Sequence, residues 1–452
     1  MLNRNLFAAL AAAALATTAN ATPSAAEIAR LGKDLTPMGA ERAANKEGTI
    51  PEWTGGVCSP PAGYKPKDGQ SGFPYVDPFE ADKPTLQITA SNMDQYADKL
   101  DAAQLYLLKT YPSYRIDVYP THRSACYPNW VYENTVKRAA NPKLVGDAPG
   151  LEGAHAQVPF PIPKTGYEVM WNFVTAFHPV YYAGTFDTFL ADVNGSRTLV
   201  TRSKVSYRWP YWDNTKSSSD EMTTLLNINE SPASKNGSMD MRAQWARMDE
   251  KEPRAWSYTP GQRRVRLAPE FTYDTVSPQY GGLLVFDEIN GFDGKMDRFD
   301  FKLVGKKEMY IPYNAYKYLH TPTEETMAKS HINPDTLRWE LHRVWVVEAV
   351  RKPEARHVYS KKMFYVDEDS WLVASYTSFD NAGKLYRSSI YPIYQQYEIP
   401  MATTHNNIGY DHIRGGYYVG AHPVVGTPGW RKATSIPESY FSPDSMAAIG
   451  VR

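Results

Sequence analysis

The sequence is poor in cysteine. Only Cys58 and Cys126 occur among 452 residues, and they form no CxxC pair. A thioredoxin-type redox motif and a cysteine zinc site are therefore excluded. Net charge is also absent, since 49 Lys and Arg balance 49 Asp and Glu. Nucleic-acid binders draw much of their affinity from phosphate neutralisation, so this balance argues against nucleic acid as a partner. No GxSxG elbow, P-loop or dinucleotide fingerprint occurs. No apolar run is long enough to span a bilayer comfortably.

What is present begins at the N-terminus. MLNRNLFAALAAAALATTANA has a cation at Arg4, an apolar run and the small-residue site Ala19-Asn20-Ala21. That is the pattern of a secretory signal over residues 1–21, cleaved before Thr22. No cysteine follows the run, which argues against a lipid anchor. A periplasmic location is the simplest expectation. An oxidising compartment permits Cys58 and Cys126 to pair, although both residues also suit small buried sites. The 32 Tyr and 34 Pro favour extended structure and long irregular connections.

Residues 22–165 read as an irregular strap with short helices at Ser24–Leu31, Pro37–Ala44 and Met93–Lys109. Ser24 and Glu27 have capping-box spacing. A helix is expected at YEVMWNFVTAFH, with Val169, Phe173 and Phe177 at spacing four. Strands follow. Asn194-Gly195 lies between alternating runs as a hairpin turn. MDMRAQWARM places Met239, Met241, Ala243 and Trp245 on one face. WSYTPGQRRVRL turns at Pro260-Gly261, with Trp256 and Tyr258 on one face. Consecutive hairpins of this kind make an antiparallel meander over 166–396. From Tyr397 periodicity fades, so 397–452 reads as a second irregular strap.

These residues also carry a resemblance. Trp256-x-Tyr258-x-Pro260 leads into a basic strand with Arg264 and Arg266. Asp367, Trp371 and the Asp380-x-x-Gly383-Lys384 turn follow. The pattern resembles periplasmic proteins of the outer-membrane lipoprotein-sorting type. ARLGKDLTPMGAERAANKEGTIPEWTGG, nearer the N-terminus, narrows it to the domain-of-unknown-function family 1329. The resemblance implies a mainly β (α+β) fold: a curved antiparallel half-barrel like LolA and LolB, with covering helices. It implies carriage of a hydrophobic ligand, such as a lipid, an acyl chain or a sterol- or terpene-like molecule. It also implies work beside a resistance-nodulation-division (MMPL-type) transporter or in outer-membrane lipid and lipoprotein trafficking. No catalytic residue, metal or cofactor comes with it, so an enzyme is not expected.

The expected apolar lining is Trp245, Trp256, Tyr258, Trp339, Trp345, Trp371, Met239 and Met241, because aromatics and Met give adaptable contact area. The plain alternative is that they pack the sheet against its own helices. Arg264 and Arg266 are expected to pair with the acidic stretch Asp287–Asp300, or to meet a ligand headgroup or a partner. Asp287, Glu288, Asp293, Asp297 and Asp300 lack an EF-hand pattern and read as a solvated strand. His405 with Asp411 and His412 has no metal-ligand spacing, and His155 has no evident partner. A hydrolase or metal-dependent enzyme acting on hydrophobic substrates is the alternative function. A surface platform of exposed aromatic rings for glycans is a third.

Overall fold

The structure is a computed structural model that describes residues 22–66, 72–424, 427 and 429–450. The expected signal sequence lies outside the described residues. Among those residues sixteen strands join one sheet. In chain order they are β1 (Leu86–Ile88), β2 (Ile116–Val118), β3 (Tyr181–Ala191), β4 (Arg197–Arg208), β5 (Glu221–Ser231), β6 (Met239–Trp245), β7 (Arg254–Thr259) and β8 (Arg264–Leu267). Then come β9 (Phe299–Pro312), β10 (Trp339–Arg351), β11 (Lys361–Asp367), β12 (Val373–Phe379), β13 (Leu385–Ile390), β14 (Asn407–Asp411), β15 (Tyr417–Pro423) and β16 (Arg431–Lys432).

Two antiparallel meanders build the sheet. One runs from β3 to β8 and the other from β9 to β15. They join where β15 pairs with β3, through Tyr417–Ala191 and Tyr418–Leu190. The sheet is large, antiparallel-rich and not closed into a barrel. Its first hairpin forms at the expected place. Asp192 Oδ1 accepts from the backbone N–H groups of Asn194 and Ser196, and Gly195 takes a φ of 83°. Only a residue tolerant of positive φ turns there without strain.

Both sheet faces are covered. The helix Gly166–Val174 lays Val169, Met170, Trp171 and Phe173 into the main core with Phe301, Val347, Phe364 and Trp371. Thr165 caps it through the Glu168 N–H. Gly166 sits against β9, where a Cβ would lie 2.6 Å from the Phe301 carbonyl oxygen, so no side chain fits. A second core buries Leu107, Leu108 and Ile116 of the N-terminal region against Trp339, Tyr394, Ile408 and Tyr417.

Several expectations are corrected. Pro37–Ala44 forms no helix; Leu35 instead bridges Glu41 in a tight antiparallel turn. The helix expected over Met93–Lys109 is two, a 3-10 helix at Met93–Lys99 and an α-helix at Ala102–Thr110. Asp101 splits them by capping the second through the Gln104 N–H. Phe177 falls beyond its helix, which ends at Val174. The stretch after Tyr397 is not irregular: β14 and β15 sit inside the sheet. Both are buried on both faces, so the alternation that marks a half-exposed strand is missing. The N-terminal region also enters the sheet, where β2 pairs in parallel with β10 at Val118–Trp339.

Cys58 and Cys126 form a disulfide with Cα atoms 5.3 Å apart, closing 68 residues of the N-terminal strap. Loop-closure entropy alone makes such a cross-link worth up to ~4 kcal/mol. Replacing both with Ser is expected to lower stability by about 2–4 kcal/mol in urea unfolding, with far-ultraviolet circular dichroism of the native state unchanged.

Candidate functional site

A recess lies between the C-terminal end of the helix Gly166–Val174 and the inner face of β4, β5 and β6. Its free space is about 700 Å³, open solvent at the mouth included. Phe173, Val174, Trp209, Leu225, Phe292 and Leu372 give it apolar walls. Strand period explains the lining. On β5, Leu225 points into the recess and Leu226 points to the opposite face. On β6, Arg242 and Gln244 point in, while Met239 and Met241 point out.

The inner end is polar. Arg242 is paired with Asp293 through Nη1, and Gln244 Nε2 donates to the other carboxylate oxygen. Burial raises the Asp293 pKa, and the Arg242 charge opposes that rise. Burial works against the Arg242 charge, but Asp293 and Asp240 outweigh it and raise its pKa. Breaking such a buried pair from one side leaves an uncompensated charge. The same three residues line a second recess of about 810 Å³ with Phe271, Tyr273 and Phe286. The ion pair thus stands between the apolar recess and a second one whose lining also carries Glu252, Arg254 and Lys295.

Two histidines face each other on the wall. His178 Nδ1 donates to the Ala176 carbonyl at 2.8 Å, which leaves Nε2 to accept from His405 Nε2 at 3.1 Å. His178 stacks on Trp209 and His405 on Trp430, each with centroids 4.4 Å apart. Burial pulls the His178 pKa down to about 4, and burial plus His178 depresses His405 further. Both rings are neutral at pH 7. Trp209 Nε1 and Thr404 Oγ1 are buried in the wall without a hydrogen-bond partner.

None of the residues expected to line a cavity lies in this recess, although Trp345 lines a separate one beside Leu35 and Ile162. Met239, Met241, Tyr258 and Trp256 pack on the opposite face beneath Met446 of the C-terminal helix Pro443–Gly450. Tyr258 donates to the Gly450 carbonyl at 2.9 Å. Trp245 sits under the Arg254 guanidinium. Trp339 belongs to the second core. Trp345 and Trp371 stack with centroids 6.1 Å apart, and Trp371 Nε1 donates to the Met38 carbonyl of the N-terminal strap.

Arg264 and Arg266 are exposed on β8, which ends the sheet, and Arg266 bonds Gln262. They do not meet Asp287–Asp300. That stretch is no solvated strand up to Asp297, because Phe286, Ile289 and Phe292 pull it into the core. Its carboxylates turn inward: Asp287 to Lys362 and His357, Glu288 to Tyr359, Asp293 to Arg242, and Asp297 to Tyr273. Only Asp300 lies exposed on a strand. His405 shares no site with Asp411, which pairs with Arg387, or with His412, which bonds Ser388. His155 Nε2 lies within 3.0 Å of the Asp213 carbonyl. Among the described residues, the donor atoms of His342, Asp367 and Asp369 lie close enough together to hold a metal ion; the group is buried outside the recess. The exposed large apolar side chains, such as Leu267 and Ile413, are aliphatic. No described aromatic ring offers the exposed platform that a glycan surface requires.

Together these features define a class: an open, strap-covered antiparallel sheet with an apolar recess floored by a buried ion pair. The chain belongs to the DUF1329 family, described as proteins of unknown function, whose model matches residues 87–447. It is 37% identical over 449 residues to an uncharacterized protein of Pseudomonas aeruginosa, covering 98% of this chain and 97% of that one. A DUF1329 family protein from Desulfovibrio piger matches in structure at 13% identity with a TM-score of 0.43, over 62% of this chain and 97% of that chain. A LolA superfamily protein from Nitrosomonas europaea matches at 12% identity and a TM-score of 0.37, over 63% and 100%.

The histidine pair sets a pH dependence. A buried base whose folded pKa of about 4 lies below its ordinary value of 6.5 binds its proton more readily when unfolded. Its contribution is complete above pH 6.5 and is lost as pH falls through about 4. For His178 this withdraws up to ~3 kcal/mol over that window, and His405, depressed by burial and by His178, acts in the same direction. Urea unfolding at pH 7 and pH 5 is expected to show a smaller loss in a His178→Phe, His405→Phe double variant than in the wild type.

Proposed function

We propose that the protein is an exported, non-enzymatic carrier of a hydrophobic ligand. The supporting observation is the recess itself, walled by Phe173, Trp209, Leu225, Phe292 and Leu372. Removing a few hundred Å² of ligand surface from water at ~25 cal/mol per Å² supplies several kcal/mol, enough for reversible carriage. The ligand class is a lipid, an acyl chain or a rigid apolar molecule of similar girth. The buried Arg242–Asp293 pair gives a polar end to the apolar space, as an amphiphile requires. The Cys58–Cys126 disulfide supports an oxidising compartment such as the periplasm. Among the described residues no helix is long and apolar enough to cross a membrane.

Displacement of a fluorescent fatty-acid probe tests this reading. The wild type is expected to bind the probe at micromolar concentration and to release it to competing lipid. Leu225→Trp, which fills the recess from β5, is expected to weaken binding at least about tenfold. Leu226→Trp on the opposite face serves as the control and is expected to bind like the wild type. Equal binding by the wild type and Leu225→Trp would place the ligand elsewhere.

A further inference from the structure

Away from the recess, strand β10 and the turn after β11 bring a buried imidazole against buried carboxylates. His342 lies on β10. Its Nε2 donates to Glu340 Oε2 at 3.2 Å. Glu340 is itself fixed by Arg338, by Asn314 Nδ2 at 2.9 Å and by the His122 N–H at 2.8 Å. The Tyr313 ring stacks on the imidazole at 4.0 Å. With Nε2 committed as donor, the neutral ring presents its lone pair at Nδ1. Nδ1 faces Asp367 Oδ1 across 3.8 Å, beyond hydrogen-bond reach.

Asp367 is wholly buried, and its two oxygens are treated unequally. Oδ2 accepts from the Ser370 N–H at 2.9 Å and from the Ser370 hydroxyl at 2.5 Å. Oδ1 accepts no hydrogen bond from the described residues. The neighbouring carboxylates each have a cation of their own. Arg338 serves Glu340, Lys306 and Arg343 serve Glu368, and Arg123 grips Asp369 at 2.7 and 2.8 Å. Among the described residues Asp367 has no Lys or Arg within ion-pair distance. The donor atoms of His342, Asp367 and Asp369 all lie within 4.8 Å of one another.

Two electron pairs facing each other across 3.8 Å, with a second carboxylate, Asp369, beside them, suit a metal ion as donors. The ion would lie about 2.0–2.2 Å from each first ligand. We propose that His342, Asp367 and Asp369 bind one divalent transition-metal cation of the zinc or manganese type. The imidazole selects against calcium and magnesium, which favour all-oxygen cages. Glu340 orients the ligating ring from behind, as carboxylates do for metal-bound histidines. The ion neutralises the one carboxylate of the group that lacks a cation. It cross-links β10 to the turn that carries Trp371, and so to the N-terminal strap.

The test uses the full mature chain, stripped with chelator, desalted and titrated with ZnCl2 or MnCl2 by calorimetry, with bound metal counted by mass spectrometry. One ion per chain and a Tm raised by several degrees at saturation are expected. Asp367→Asn, which keeps an acceptor for Ser370 but loses the anion, is expected to bind at least about a hundredfold more weakly. His342→Gln is expected to behave likewise. Co2+ loaded into the wild type gives a check independent of any variant, as visible absorption bands of a mixed nitrogen–oxygen site. No bound ion and no change of Tm in the wild type would overturn the proposal. Undiminished binding by a folded Asp367→Asn chain would overturn it equally.

Discussion

The structure depends on one constraint. A sheet of this size is apolar on both faces, and neither face can be left to water. Leu225 and Leu226 are adjacent on one strand and both are buried, on opposite sides. Val346 and Val347 are likewise adjacent on β10 and both buried. At ~25 cal/mol per Å², leaving either layer exposed would cost more than the net stability of a folded domain. The long N-terminal region and the C-terminal helix answer that constraint. Their irregular course follows from lying on a curved surface rather than building a core of their own.

The recess follows from the same constraint. The helix Gly166–Val174 and the turn through Phe292 and Asp293 cover the inner face of β4 to β6 incompletely. The gap stays apolar because the sheet beneath it was built to be covered. The polar residues at its floor are tolerated because Arg242, Asp293 and Gln244 satisfy one another. The gap is thus a cavity with a single charged boundary, which separates it from a second compartment.

Much of the fold was legible in the sequence, and the legible parts share a cause. The Asn194-Gly195 hairpin, the antiparallel meander and the Ser24–Glu27 capping box are local, and local spacing announces them. Strands β14 and β15 were hidden because burial on both faces removes alternation. The recess was hidden for a related reason. Strand period separates Met239 and Met241 from Arg242 and Gln244, but it does not say which set faces inward. The apolar set is the natural candidate for a lining, but a helix near the C-terminus claims that face and leaves the polar set inside. The inward turn of Asp287 and Asp293 was equally invisible, since their partners Lys362 and Arg242 lie 75 and 51 residues away.

The carrier function rests on the recess, whose contents are directly measurable. Native mass spectrometry of the mature chain, isolated from an oxidising compartment without detergent, reads them in one step. A mass above that of the polypeptide is expected, removed by organic extraction and reduced in the Leu225→Trp chain. A bare polypeptide mass, with nothing recovered in the organic extract, would contradict it.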